Sequence, residues 1–173
     1  MTNTPQKVIV HHSGVSSSSP QLYAINRYHA NHPDLGPFPK SVLGWYVGYH
    51  WIIERDGTKT KTRDDYEDGV HTIGWNNKSI AICLAGNFDI EAPTVQQLAT
   101  LRDLIGAYKL PYSFHRENQE GRTCPGRYLT REAIDQQATP LTEIKKKENL
   151  ERQVSLLKQV LDLLRKLLFL DKN

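Results

Sequence analysis

All nine prolines and all eleven glycines of this 173-residue chain lie at or before Pro140, and the stretch from Leu141 to Leu170 contains neither. Proline and glycine are the strongest local breaks in regular structure, so the first part must fold as several short elements and the second can run as one long helix. Within that second part Leu150, Val154, Leu157, Leu161, Leu164 and Leu168 recur at alternating spacings of four and three, an a/d heptad seam. A parallel seam runs through Leu156, Val160, Leu163, Leu167 and Leu170. At about 100° per residue the two seams cover roughly 160° of the helix, more than a two-stranded coiled coil needs. The expectation is one amphipathic helix over 141–170 that assembles the chain into a homo-oligomer of three or more copies. A helix folded back on its own domain and one lying on a membrane surface are the alternatives.

Residues 1–139 alternate strand-like and helix-like segments, which predicts an α/β domain with a central mixed β-sheet flanked by helices. Lys7-Val8-Ile9-Val10 reads as a short buried strand, and Ser79-Ile80-Ala81-Ile82-Cys83-Leu84 as a central one. Pro20 opens a helix from about Gln21 to His32. Tyr49–Ile53 and Lys59–Arg63 flank Arg55-Asp56-Gly57-Thr58, whose Asp-Gly step marks a hairpin. Thr94 followed by Gln97 has the form of a capping box, with Val95, Leu98, Leu101, Leu104 and Ile105 as the buried face of its helix. A further short helix is expected within Pro125–Gln137, packed on the sheet. Pro33, Pro37 and Pro39 make residues 33–44 a loop.

Charge divides along the same line. Residues 141–173 hold eight Lys/Arg and five Asp/Glu, leaving 14 of each for residues 1–140, so the whole net charge of +3 sits on the tail. With no interleaved aromatics, that is weak ground for nucleic-acid binding, and none is expected. The two cysteines, Cys83 and Cys124, do not make a disulfide scaffold. Cys83 is read as a packed core thiol, with a Cys83–Cys124 disulfide as the lesser alternative. The N-terminal residues lack an apolar signal core, so synthesis in the cytoplasm without a signal peptide is the expectation.

Three side chains carry a possible chemistry. His11 ends the first strand, where His11-His12-Ser13-Gly14 breaks it with polar and turn residues. His115 and Cys124 lie nine residues apart in Phe114–Gly126, a stretch too polar and too punctuated by glycine and proline to be core. Two imidazoles and a thiolate form a ligand set that zinc accepts, and three protein ligands leave a position open for water. Between them stand Gly48-Tyr49-His50-Trp51-Ile52-Ile53-Glu54-Arg55-Asp56-Gly57-Thr58 and Gly69-Val70-His71-Thr72-Ile73-Gly74-Trp75-Asn76-Asn77, followed by the strand at Ser79. This order resembles the zinc-dependent N-acetylmuramoyl-L-alanine amidases, the family shared by phage endolysins and peptidoglycan recognition proteins. The resemblance covers roughly residues 7 to 130.

The resemblance implies a catalytic domain over 1–139, with 140–173 as an appended helix. It implies one zinc ion per chain on His11, His115 and Cys124, and hydrolysis of the bond between N-acetylmuramic acid and L-alanine in peptidoglycan. Tyr49 matches the family tyrosine that would hydrogen-bond the water or the developing oxyanion. Arg122 stands where the family commonly carries Lys or Thr; with a pKa above about 12 it can stabilise charge but cannot usefully give up a proton. The Gly-Val-His-Thr segment lines the groove in the family, so His71, Thr72 and Asn76 are candidates for substrate contact, His71 alternatively for support of a ligand. The loop over 33–44 is a candidate groove wall. His12 and His50 are read as structural, His29 and His32 as surface residues. Absence of a signal segment fits a phage lysin released by a holin-type partner, and equally a cytosolic enzyme recycling muropeptides. A non-catalytic peptidoglycan-binding module is the remaining alternative, against which the presence of Cys124 counts.

Overall fold

The computed structural model describes residues 2–135 and 141–170, the latter with side chains over 146–166. The chain divides into two compact units, residues 1–138 and 139–173. The first holds a five-stranded sheet of β1 (Lys7–His12), β2 (Trp51–Ile53), β3 (Lys59–Lys61), β4 (Ser79–Leu84) and β5 (Tyr112–Phe114) in the order β3-β2-β4-β1-β5. Only the β2–β3 hairpin is antiparallel; β2, β4, β1 and β5 run parallel, so the sheet is mixed. Every residue of β4 is buried, as a parallel strand covered on both faces must be.

Strand alternation sends Val8 and Val10 to one face with Ile80, Ile82 and Leu84, and Ile9 and His11 to the other with Ala81 and Cys83. The first face makes the main core with Phe88, Phe114, Leu129 and two helices, α2 (Val95–Tyr108) and α3 (Arg131–Asp135). The second face is covered more thinly, by α1 (Leu22–Ala30), whose Leu22 and Ile25 meet Ile52, Cys83 and Val47. His11 therefore rises from the side of the sheet that is not filled with core.

The ends of these elements depart from the sequence reading in instructive ways. Thr94 and Gln97 do form the capping box, each side chain meeting the other's backbone N–H at 3.1 Å. The helix face is rotated, however: Val95 is exposed, and the buried Gln97 amide donates to Ala85 O at 2.8 Å. The strands of the hairpin are shorter than expected. His50 leaves the regular ladder because its ring Nδ1 accepts the Ala81 N–H at 3.1 Å, while its own N–H bonds Ala81 O. The Asp-Gly turn forms as read, with Gly57 at φ 81°, and Asp56 accepting the Thr58 N–H at 2.9 Å.

Helix α1 has no capping side chain of its own. The Glu54 carboxylate, at the end of β2, accepts the N–H groups of Gln21 and Leu22 at 2.8–2.9 Å. A carboxylate at that end also complements the helix dipole. This distant cap explains why the helix starts at Leu22, with Pro20 left outside. The short helix expected within 125–137 is α3; it packs on the sheet through Ile134 and against α2, with the Tyr112 hydroxyl of β5 donating to Asp135 at 2.9 Å, and residues 136–140 lie outside the described residues.

The second unit contains α4 (Leu141–Leu170), one uninterrupted helix. Among the described residues no helix is long and apolar enough to cross a membrane.

Candidate metal centre and adjoining groove

The parallel pairing of β1 with β5 matches Val10 to Phe114, so the next residues of both strands, His11 and His115, emerge side by side at the carboxyl end of the sheet. In open α/β sheets that end is where ligands bind. The chain turns at once into a single 3-10 turn (His115–Glu117) and a loop that returns Cys124 to the same place. That return is pinned by backbone: Arg116 N donates to Cys124 O at 2.8 Å, and His12 N points at Cys124 Sγ at 3.4 Å. Gly126, at φ 94°, passes so close to Phe88 and Asp89 that a Cβ would run into their backbone.

The ligand atoms of His11, His115 and Cys124 lie within 4.8 Å of one another. Cys124 Sγ is 3.7 Å from His11 Nδ1, and the two imidazole rings are 4.6 Å apart. A tetrahedral zinc ion with bonds of about 2.0–2.3 Å separates its ligand atoms by roughly 3.3–3.6 Å, so the three fit such an ion with little movement.

Protonation also suits a metal. Burial pushes the His11 imidazole well below its ordinary value, and the neighbouring His71, His115 and His12 push the same way. Burial lowers His115 too, so both rings are neutral at physiological pH, the form that coordinates. Burial raises the Cys124 thiol to about 12. Without a cation the sulfur therefore keeps its proton, and binding a metal must displace it.

Each histidine is oriented through its second nitrogen. His11 Nε2 lies 3.2 Å from His71 Nδ1, which leaves Nδ1 facing Cys124. His71 is held in turn: its Nε2 lies 3.4 Å from Ser79 Oγ, and the Ser79 hydroxyl donates to Trp75 O at 2.7 Å. Thr72 Oγ1 sits 3.0 Å from His71 Nδ1, and Asn76 Oδ1 accepts the N–H groups of both His71 and Thr72 at 2.8 and 2.9 Å. The structure thus gathers His71, Thr72 and Asn76 behind His11, and none of them lines the hollow in front of it. His115 Nε2 meets the Gln119 side-chain amide at 3.2 Å. With Nδ1 free to ligate, Nε2 donates to that amide's oxygen; turned over, the amide donates to Nε2 and accepts from Arg122 at 3.3 Å.

In front of the ligands is an open hollow of about 320 Å³, bordered also by Tyr49 and Arg122. The Tyr49 ring is 5.1 Å from that of His11. Burial, reinforced by the Cys83 and Cys124 thiols, holds its phenol well above the ordinary value, so it can donate a hydrogen bond but not act as a base. Arg122 is exposed at the rim. A second, more apolar hollow of about 650 Å³ adjoins the first, sharing Ser13 and Tyr49 with it and running along α1 past Ile25 and Tyr28. Ser13 is fixed by Gln21, its hydroxyl donating to Gln21 Oε1 at 2.6 Å.

Some placements correct the sequence reading. His29 is a buried residue, not a surface one: it stacks on Phe38 at 4.5 Å, its Nδ1 accepts the Gly48 N–H, and burial lowers it to about 4. Its spacing from Leu22 and Ile25 on one helix face was the available signal. Residues 33–44 do form a loop, but Phe38 goes beneath α1, and the groove wall is built instead by α1 and residues 13–20. Cys83 is buried in the core and both thiols are free. His12 turns away from the ligands and accepts the Phe88 N–H at 3.1 Å.

Comparison with known proteins agrees with this geometry. The endolysin of Klebsiella phage KP32 is 40% identical over 76 residues, covering 40% of this chain and 50% of that protein. The chain spans about half the length of the phage relatives it matches. Among solved structures, the N-acetylmuramoyl-L-alanine amidase LysC from Clostridium intestinale URNW superimposes with a TM-score of 0.60 at 27% identity, covering 85% of this chain and 87% of LysC. Bumblebee PGRP-SA shares the fold, with a TM-score of 0.64 at 23% identity over 80% of this chain and 87% of its own. The family model described as N-acetylmuramoyl-L-alanine amidase matches residues 1–127. By that match over most of its length, the chain belongs to the N-acetylmuramoyl-L-alanine amidase family.

Proposed function

We propose that this chain hydrolyses the amide bond between N-acetylmuramic acid and L-alanine in bacterial peptidoglycan, using one zinc ion held by His11, His115 and Cys124. The observation that carries the reading is the convergence of those three ligand atoms within 4.8 Å in a chain of the amidase family. When bound, zinc supplies a Lewis acid and lowers the pKa of its water to about 7.

The chain's own residues do the rest. His71, braced by Thr72, Asn76 and Ser79, holds the His11 ring with Nδ1 toward the site; its role is to position a ligand rather than to touch substrate. Tyr49, protonated at every physiological pH, donates a hydrogen bond to the oxygen that gains charge as the amide carbon becomes tetrahedral. Arg122 adds a fixed positive charge at the rim. The hollow along α1 gives room for the part of the substrate beyond the scissile bond. Likeness to the phage endolysins supports action on the cell wall after release from the cell.

Purified peptidoglycan digested by the protein should yield new amino termini without new reducing sugars, and a chelator should stop the reaction. Reducing ends appearing at the same rate would overturn the amidase assignment. Tyr49→Phe should keep its metal and fold while losing about 100-fold in turnover. Arg122→Lys should stay active where Arg122→Ala does not; equal activity in both would return Arg122 to an ordinary loop residue.

A further inference from the structure

Helix α4 exposes an apolar stripe: Leu150, Val154, Leu156, Leu157, Val160, Leu161, Leu163 and Leu164 each keep between 42% and 67% of their surface open. At about 100° per residue these eight occupy roughly half of the circumference, interrupted between Leu150 and Leu164 only by Gln153. Exposed apolar surface of that extent marks an interaction site.

The charges say what lies against it. Lys147, Lys158 and Arg165 fall within roughly 40° of one edge of the stripe, and Arg152 within roughly 20° of the other. The acids do the opposite. Glu148, Glu151 and Asp162 all fall within roughly 30° of the middle of the polar face, where Asp162 pairs with Lys166 at 3.0 Å. Four of the six described cations thus border the stripe, with Lys146 ahead of it on the same face and Lys166 on the polar face, while the described acids keep to the pole; an anionic interface selects that bias. Long Lys and Arg stems lie along the apolar boundary and lift their charges to headgroup level, while carboxylates stay in water. In a bundle of identical chains the same cationic borders would be brought together, with Glu151 the acid best placed to answer them. Against an anionic surface each border cation gains a counter-charge.

We propose that α4 is an interfacial helix that lies on the surface of a bilayer containing anionic phospholipid, with Leu157, Val160 and Leu164 near the centre of its buried stripe and Leu161 toward one side of it. It lies on the membrane rather than through it, in keeping with a helix not apolar enough to span one. The proposal stands apart from the amidase reading, because neither the metal ligands nor the groove enters it.

The test is cosedimentation of the full-length protein with vesicles of phosphatidylcholine alone and of phosphatidylcholine mixed with phosphatidylglycerol. Binding should appear only with the anionic lipid and fall as salt is raised. The double variant Lys158→Glu, Arg165→Glu keeps the apolar stripe and should lose at least ~10-fold in vesicle binding, since each border charge near an anionic surface is worth a severalfold factor. Leu157→Gln with Leu161→Gln should lose binding to a similar degree while peptidoglycan hydrolysis by the first unit continues. Equal binding to both vesicle types would overturn the proposal. So would absence of binding to either, whether light scattering then finds a monomer or a stable multiple of 19.8 kDa. Because lipid binding is read without the enzymatic reaction, its failure leaves the amidase assignment intact.

Discussion

The two units solve opposite problems with the same residue types, leucine, isoleucine and valine. In the first, apolar residues turn inward: Val8, Val10, Ile80, Ile82 and Leu84 are fully buried. The polar groups that accompany them are nearly all satisfied, from Gln97 under α2 to His50 against β4. In the second, the described apolar side chains all remain open to solvent. The first unit completes its own hydrophobic pattern, and the second displays one along α4. What the difference teaches is that an apolar repeat reports burial, not the partner that supplies it. The partner has to be read from the charges at the edge.

The comparison breaks most visibly at the metal site. Cys124→Ala should leave protein without stoichiometric zinc and with turnover reduced by at least ~1000-fold, while vesicle binding through α4 is unchanged. Elemental analysis beside a turnover assay checks both. Retention of one zinc per chain in that variant would remove Cys124 from the ligand set.

Packing gives the next contrast. Ile82→Ala should cost about 2–5 kcal/mol in chemical denaturation, the range for a fully buried aliphatic side chain. Leu157→Ala in lipid-free monomer should cost less than about 1 kcal/mol, because no packed site is emptied. Comparable costs would mean that α4 is buried in solution after all.

A smaller effect should follow pH. Burial lowers His50 from 6.5 to about 4 in the folded chain. Between those values the unfolded chain binds a proton that the folded chain refuses. Stability should therefore fall as pH drops through that window, by up to about 3 kcal/mol for this group, and no further below it. Thermal melts at pH 7, 5.5 and 4 test this, with His50→Asn less stable at pH 7 but flatter across the series. An unchanged slope in the variant would move the effect to other groups, such as His29. The least change is expected for His71→Ala, which should weaken zinc binding by about 10–100-fold without unloading the site. Wild-type affinity would show that His11 needs no support from behind.

The α/β architecture and the candidate cluster of His11, His115 and Cys124 were legible in the sequence because their signals are local or typed by chemistry. An apolar run interrupted by His11, an Asp-Gly turn and a Thr-x-x-Gln cap each need only a few neighbouring residues. His115 and Cys124 stood out as metal-seeking groups in a stretch with no core to fill. What was not legible depends on chain brought together from far away. Glu54 caps a helix 33 residues upstream, and no pattern around Glu54 announces it. Val95 gave up its place on the buried face to Gln97, because Ala85 O needed a donor there. The direction of His71, toward a ligand rather than toward the groove, was set by Ser79 and Asn76 through contacts that spacing alone does not encode.

The reach of Glu54 has a mechanical consequence. One carboxylate fastens the hairpin edge of the sheet to the start of α1, and Gln21 at that same start holds Ser13, which belongs to both hollows. Swinging α1 outward would part the Gln21 and Leu22 N–H groups from the carboxylate that accepts them. Wall and edge are fastened through one carboxylate, so a change at the hairpin edge is felt at the wall of the hollow.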